Sequence, residues 1–395
     1  MRKTIFFDAS PTGHHGEYLE NLICGISSDI ASTCVIVAHP DLRDRLDSLC
    51  EERGSSIGLK FLSGADVEYL ESAQGIVQIG RRQLEVLSKY MVQSEYVRVV
   101  LMHMNLHQYA LHNWRVPNDA SIVGILLNPY TPARRATGIR AKLFTLTTGL
   151  RKRFQFWLIL RNPQLELVFL LNDQRMAECL NRWHPRRAIF APLPDPLPAL
   201  SKVCTTVEVG AGRPYRFLLA GSLTARKGCM EVLRALRRVG TESSRRIELR
   251  LVGRLRAEVG TYREQVMAEV ESINEAYDTI EITLDDHFVT HEQLSEEFAA
   301  ADCVLVPYLE FYGSSGIIGH ACRYHKPVIS CQDGLIGELV REGGLGLCVD
   351  PRDEFAFAAA VGRVLQNDFS YNVAAADEYV AAADYRGFAS KLVSE

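Results

Sequence analysis

Short runs of apolar and β-branched residues alternate along this chain with longer segments whose apolar positions recur at helical spacing. In the first half the runs fall at 4–8, 33–38, 58–62, 97–102, 122–127 and 165–171. Strands separated by helical segments predict a parallel sheet, because parallel neighbours need a long crossover connection. The pattern lapses around 193–212, where proline and small residues dominate, and this stretch reads as a linker. Alternation then restarts, with strands at 215–220, 247–252, 303–307 and 327–330 and helices at 229–236, 292–300 and 315–323. In the first of these helices Cys229, Val232, Leu233 and Leu236 occupy i, i+3, i+4 and i+7, one buried face. The expected fold class is α/β, with two Rossmann-like doubly wound parallel-sheet domains over 1–200 and 213–375. A ligand is expected in the cleft facing the carboxyl ends of the strands.

Length supports two domains, since 395 residues exceed one ordinary core. With 47% hydrophobic residues, 23% charged residues and a net charge of −4, the composition is globular and gives no basic excess for nucleic acid. The ten cysteines form no CxxC pair and no zinc-spaced cluster, so they read as free thiols of a reducing compartment. MRKTIFFDASPTG reads as a first strand rather than a signal peptide, and no apolar run approaches the ~20 residues of a membrane span. A cytoplasmic protein is the expectation.

One segment departs from the even charge distribution. Residues 134–161 carry eight Arg and Lys and no acid, while Leu143, Leu146, Leu150, Phe154, Trp157 and Leu158 follow helical spacing. Such an amphipathic basic stretch suits the anionic inner face of a membrane, or a helix on its own sheet with a solvated basic face.

Two motifs carry phosphate chemistry. FLLAGSLTARKGCMEVL reads as strand, turn at Gly221, then Arg226 and Lys227 before a helix, a place biased towards anions. An arginine forks onto phosphate oxygens, whereas a lysine supplies a compact charge. Within 306–328, Ser314, Ser315 and Gly316 lie in a GSSG turn that offers N–H groups and hydroxyls before a helix. Either motif alone is an ordinary turn or cap; together they predict a diphosphate site.

The ordered set GSLTARKG, LRLVGRLR, HFVTHEQLSEEFAAADCVLVPY, GSSGIIGHACRYHKPVIS and DGLIGELV resembles the C-terminal half of the family 4 glycosyltransferases of the GT-B fold, over roughly 215–365. The resemblance implies transfer of a sugar from a nucleotide-diphosphate sugar to an acceptor hydroxyl, with retained configuration and a donor phosphate oxygen helping to deprotonate the acceptor. Arg226 and Lys227 match its diphosphate-binding pair, Gly253 and Arg254 lie in the loop near the base, and Val289 matches a residue lining the base. Members carry two glutamates eight residues apart, on the donor sugar and the ribose; here those places hold Tyr312 and His320, with Glu310 two residues before the first. Similar enzymes have a glycine pair near the donor phosphate and acceptor, mapped to Gly13 and Gly16 with His14 and His15 between them on the acceptor side. A histidine after the strand at 97–102 touches the donor sugar or acceptor in family members; His103 is the first candidate and His107 the second.

No cofactor is expected beyond the nucleotide sugar as co-substrate, and the absence of any DxD triplet argues against a metal-dependent glycosyltransferase. The acceptor is expected to be a sugar, a lipid-linked molecule or another hydroxyl compound. By the same resemblance the last segment, 376–395, returns to the N-terminal domain. The missing glutamates keep a catalytically silent sugar-nucleotide-binding protein open as an alternative, beside a GT-B epimerase or phosphorylase.

Overall fold

The structure, a computed structural model, describes residues 3–11, 15–92, 96–127, 139–199, 212–240, 245–255 and 261–393. It contains two compact units, 1–199 together with 383–395, and 200–382.

The first unit is built on seven parallel strands: β1 (Lys3–Asp8), β2 (Cys34–Ala38), β3 (Gly58–Phe61), β4 (Tyr96–Leu101), β5 (Ser121–Leu126), β6 (Leu165–Leu171) and β7 (Phe190–Leu193). Their order is β3-β2-β1-β4-β5-β6-β7, so the direction of winding reverses between β1 and β4. Alternate residues of one strand enter opposite cores, Ile5 and Phe7 on one face of the sheet and Phe6 on the other. That two-sided burial explains why the strands read as continuous apolar runs. The chain's last helix, Tyr385–Val393, packs on the helix His15–Gly25, where Tyr18 stacks on Phe388 at 5.9 Å. Gly25 permits this approach: a Cβ there would lie 2.3 Å from the Tyr385 carbonyl oxygen.

The second unit repeats the plan with six parallel strands: β8 (Tyr215–Ala220), β9 (Ile247–Val252), β10 (Ile280–Asp285), β11 (Cys303–Val306), β12 (Val328–Cys331) and β13 (Gly346–Val349). Their order is β10-β9-β8-β11-β12-β13, and the winding reverses between β8 and β11. Phe217 and Leu219 face one core, Leu218 and Ala220 the other.

The doubly wound α/β class is as the alternation predicts. Strands β7, β10 and β13 are additional to the sequence reading, because β7 and β13 have four residues each and β10 alternates with Glu281 and Thr283 rather than running apolar. The helix Val373–Ala382 stays with the second unit, where Ala376 is fully buried, so the chain returns at Ala383 rather than at 376.

Candidate functional site

In the second unit the two phosphate motifs follow β8 and β11, the strands that flank the reversal, which is where open α/β sheets receive ligands. Gly221 leaves β8 with φ 109°, and Gly253 leaves β9 with φ 127°. A Cβ on Gly253 would lie 2.0 Å from the Gly221 carbonyl oxygen, so only glycine lets these backbones meet. The turn Ala225–Lys227 closes at Gly228, whose φ is 76° and whose Cβ would lie 2.3 Å from the Pro307 carbonyl oxygen. Leu309 N–H donates to the Arg226 carbonyl at 2.8 Å, fastening the Arg-Lys-Gly turn to the segment after β11.

That join brings cations onto aromatic faces. Lys227 Nζ lies 3.5 Å from the centroid of Tyr308, and the Arg226 guanidinium lies 4.7 Å from that of Phe311. Arg226 is exposed and Lys227 half-buried. Neither is paired with a carboxylate among the described residues. Burial, reinforced by the Arg226 charge, pushes the Lys227 ammonium down to about 7. Two neighbouring cations without a counter-charge among the described residues make a local environment that favours an anion.

The GSSG turn lies against the same group. The Tyr308 and Ser315 hydroxyls are 3.2 Å apart, so Ser315, the N-cap of the helix Gly316–Arg323, makes no side-chain bond to that helix. Its first N–H groups are left uncapped by Ser315, and the space where a Gly316 Cβ would stand is open. Ser314 is half-buried in the same turn.

The other expected donor residues surround this centre unevenly. Arg254 is exposed and its carbonyl receives Leu223 N–H at 3.0 Å; Val289 packs its side chain on the core below. Tyr312 is half-buried beside Gly334, and His320 is buried with its ring stacked on Phe298 at 5.1 Å. Glu310 points to the surface, where it meets Arg352 at 3.0 Å.

In the first unit Gly13 and His14 lie outside the described residues. Gly16 sits in the helix His15–Gly25, where a Cβ would be 3.2 Å from Arg45 Nη1. His15 and His103 come together, with ring centroids 4.8 Å apart, and His15 Nδ1 lies 2.7 Å from the Asp8 carboxylate. Burial holds His103 down to about 4, a neutral ring at physiological pH. His107 is buried against Phe7, with neither ring nitrogen hydrogen-bonded among the described residues, and burial pushes it down to about 3.

Sequence reasoning missed Asp8, Tyr308 and Phe311. Asp8 was visible as the polar end of an apolar strand, and Tyr308 and Phe311 as aromatics flanking a turn, but the contacts that use them are long-range. Among the described residues, no group of three or more His, Cys, Asp or Glu side chains is placed to hold a metal ion.

Comparison with known proteins agrees with this architecture. Residues 214–367 match the family of glycosyl transferases group 1. The chain is similar in structure to the Anabaena HepE protein in complex with UDP (TM-score 0.67, 14% identity, 99% of this chain and 98% of that one). It is also similar to sucrose-phosphate synthase from Thermosynechococcus elongatus (0.65, 16%, 99% and 97%) and to the lipopolysaccharide outer core galactosyltransferase WaaB in its apo form (0.62, 12%, 100% and 99%). At such identities the likeness establishes the fold. No curated protein matches the chain by sequence. With a fold shared along nearly its whole length, this is a chain of the GT-B fold whose residues 214–367 match glycosyl transferases group 1.

Proposed function

We propose that the protein transfers a sugar from a nucleotide-diphosphate donor to an acceptor hydroxyl, with retained anomeric configuration and without a metal ion. The observation that carries this reading is the pair of cations, Arg226 and Lys227, set on Phe311 and Tyr308 with no carboxylate partner among the described residues, beside a helix start at Gly316 that Ser315 does not cap. The barrier to glycosyl transfer lies in the departure of the diphosphate, and donors fixed around it stabilise charge as it develops. Removing one such donor commonly raises the barrier by about 3 kcal/mol. Two protein cations can meet the leaving group without an ion to bridge it. UDP is the first nucleotide to test, since solved structures of similar fold hold UDP or UDP-glucose.

A thermal-shift screen of the full chain against nucleotides and nucleotide sugars, repeated with Arg226→Ala and Lys227→Ala, tests the site. The expected result is a rise in wild-type Tm with at least one nucleotide and a reduced response in both variants. No response in the wild type, or equal responses in all three proteins, would falsify the assignment. Binding without turnover of any donor would favour a silent binding protein, and NMR of the product anomer decides retention.

A membrane-borne or lipid-linked acceptor is supported by the described end of the helix Ile139–Ile159. Leu150, Phe154 and Trp157 are all exposed, at i, i+4 and i+7, with Phe154 stacked on Trp157 and the Arg161 guanidinium over Trp157. Leu158, by contrast, faces inward with Phe156 and Ile159. Exposed aromatics among cations are the composition of an interfacial helix. No helix among the described residues is long and apolar enough to cross a membrane.

A further inference from the structure

The exposed apolar stripe of the helix Ile139–Ile159 continues onto its neighbour in the first unit. The helix Gln174–Trp183 ends on Trp183, which is 50% exposed, and the Arg153 guanidinium lies 5.6 Å from the centroid of its ring. Phe156 and Ile159 of the first helix and Ala177 and Leu180 of the second enter the same core, so both helices lie on one face of the sheet. The join is fixed at their ends. Arg187, in the turn Pro185–Arg187 that follows Trp183, donates to the Leu160 carbonyl at 2.6 Å, to the Asn162 carbonyl at 2.7 Å and to the Leu165 carbonyl. One guanidinium gathering three carbonyls ties the end of the first helix to the turn after the second, and Trp157 and Trp183 stand on one framework.

The charge on this face is one-sided. Residues 150–161 and 174–187 contain a single acid, Glu178, whose carboxylate accepts from Gln174 Nε2 at 2.9 Å. Arg151, Arg153, Arg161, Arg182 and Arg186 are exposed, and none is paired with a carboxylate among the described residues. Such a face is complementary to a surface dense in negative charge.

The rings decide which anionic surface it fits. Phe154, three residues before Trp157, stacks on it at 5.6 Å, and the Arg161 guanidinium, four residues after, lies 4.5 Å from its centroid. Flanked on both sides, Trp157 offers no open face to a nucleic-acid base or a sugar ring. Trp183 likewise carries Arg153 over its ring. What these side chains offer is apolar edge and area beside guanidinium groups, the pairing that suits the boundary between acyl chains and lipid phosphates.

We propose that the two helices form one surface that docks the protein on an anionic bilayer, with Leu150, Phe154, Trp157 and Trp183 at the acyl boundary and the arginines on lipid phosphates. This rests on the interfacial reading of the helix Ile139–Ile159 and adds the end of the helix Gln174–Trp183 to it. Docking of this kind holds whether the acceptor is lipid-linked or free.

The test mixes the full-length protein with vesicles of phosphatidylcholine, alone or in equal parts with phosphatidylglycerol. The wild type should sediment with the anionic vesicles only, and less as salt is raised. Two of the chain's three tryptophans lie on the face, while Trp114 is held by its Nε1 bond to Ser88 at 3.0 Å. Emission should therefore shift to the blue on docking and be quenched by brominated acyl chains. Trp183→Ser should weaken vesicle binding about fivefold or more. Arg153→Gln with Arg161→Gln should weaken it about 20-fold, at about fivefold per arginine. These side chains are exposed, so urea midpoints should stay at the wild-type value. If Phe154→Ser with Trp157→Ser loses binding and Trp183→Ser does not, the two-helix surface is overturned and the reading of the first helix stands. A wild type that does not sediment with anionic vesicles overturns both. Sedimentation abolished by heparin, with no blue shift in its absence, assigns the face to a soluble polyanion and overturns the bilayer.

Discussion

Lys227 makes the anion site open to a pH test. In the free protein its ammonium is pushed down to about 7 from an ordinary 10.5, first by burial and then by Arg226. A bound diphosphate offsets both effects, because its negative charge favours the ammonium. At pH 8 only about one tenth of the free protein carries the ammonium, so binding takes up about 0.9 proton. Affinity for UDP should therefore fall about fivefold from pH 7 to 8 and about ninefold from pH 8 to 9, about 50-fold in all, or ~2.3 kcal/mol. The phosphate's own ionisation, near 6, is complete over that window and does not confuse the slope. For folding the sign is opposite: a lysine with its pKa lowered by folding leaves the unfolded chain with more protons between about 7 and 10.5, so the free protein gains stability as pH rises. Calorimetry with UDP in two buffers of different ionisation enthalpy measures the proton uptake directly. Lys227→Arg, charged throughout, should bind with no such slope. A wild-type Kd that is flat from pH 7 to 9, or the same slope in Lys227→Met, would refute the assignment of Lys227 to the phosphates.

Further outcomes are expected elsewhere. Arg226→Ala should lower kcat/KM by about 100-fold or more through loss of a leaving-group cation, with folding unchanged by denaturant titration because the side chain is exposed. Gly253→Ala places a Cβ 2.0 Å from backbone at a φ of 127° and should destabilise the protein by at least ~2 kcal/mol, read from urea midpoints. Replacing Phe154 and Trp157 together by serine should weaken sedimentation with anionic liposomes and leave UDP affinity unchanged; undiminished sedimentation would reject the interfacial role of that helix face.

The fold was legible because it rests on local signals. Apolar runs separated by helical spacing are what a sheet buried on both faces requires, and Phe6 and Phe7 entering opposite cores show the reason. The phosphate turns were legible through glycines and cations that are neighbours in sequence. What stayed hidden depends on contacts between distant residues. Tyr308 is 81 residues from Lys227, and nothing in either segment announces that the ammonium will rest on that ring. His103 and His107 look interchangeable in VRVVLMHMNLHQ, yet one turn of 3-10 helix, Met104–Leu106, sends His103 to His15 and buries His107 on Phe7. The choice between them is made by packing, which no spacing rule encodes.

The two family glutamates remain the sharpest departure, and His320 is where it can be probed. Its ring stacks on Phe298 at an interplanar angle of 17° and is 6% exposed, so one face is committed to the core and any part in binding falls to a ring nitrogen. A ribose hydroxyl bonded to such a nitrogen contributes about 0.5–1.5 kcal/mol, whereas the stack contributes through packing alone. His320→Phe separates the two, because it keeps an aromatic ring on Phe298 and removes both nitrogens. If His320 does for the ribose what the family glutamate does, this variant should hold its Tm and bind UDP about three- to tenfold more weakly, with binding of inorganic diphosphate unchanged. His320→Ala should lose Tm as well, since it empties a buried site. UDP affinity in His320→Phe equal to that of the wild type would make His320 a core residue, and the ribose would then have to be held from outside the helix Gly316–Arg323.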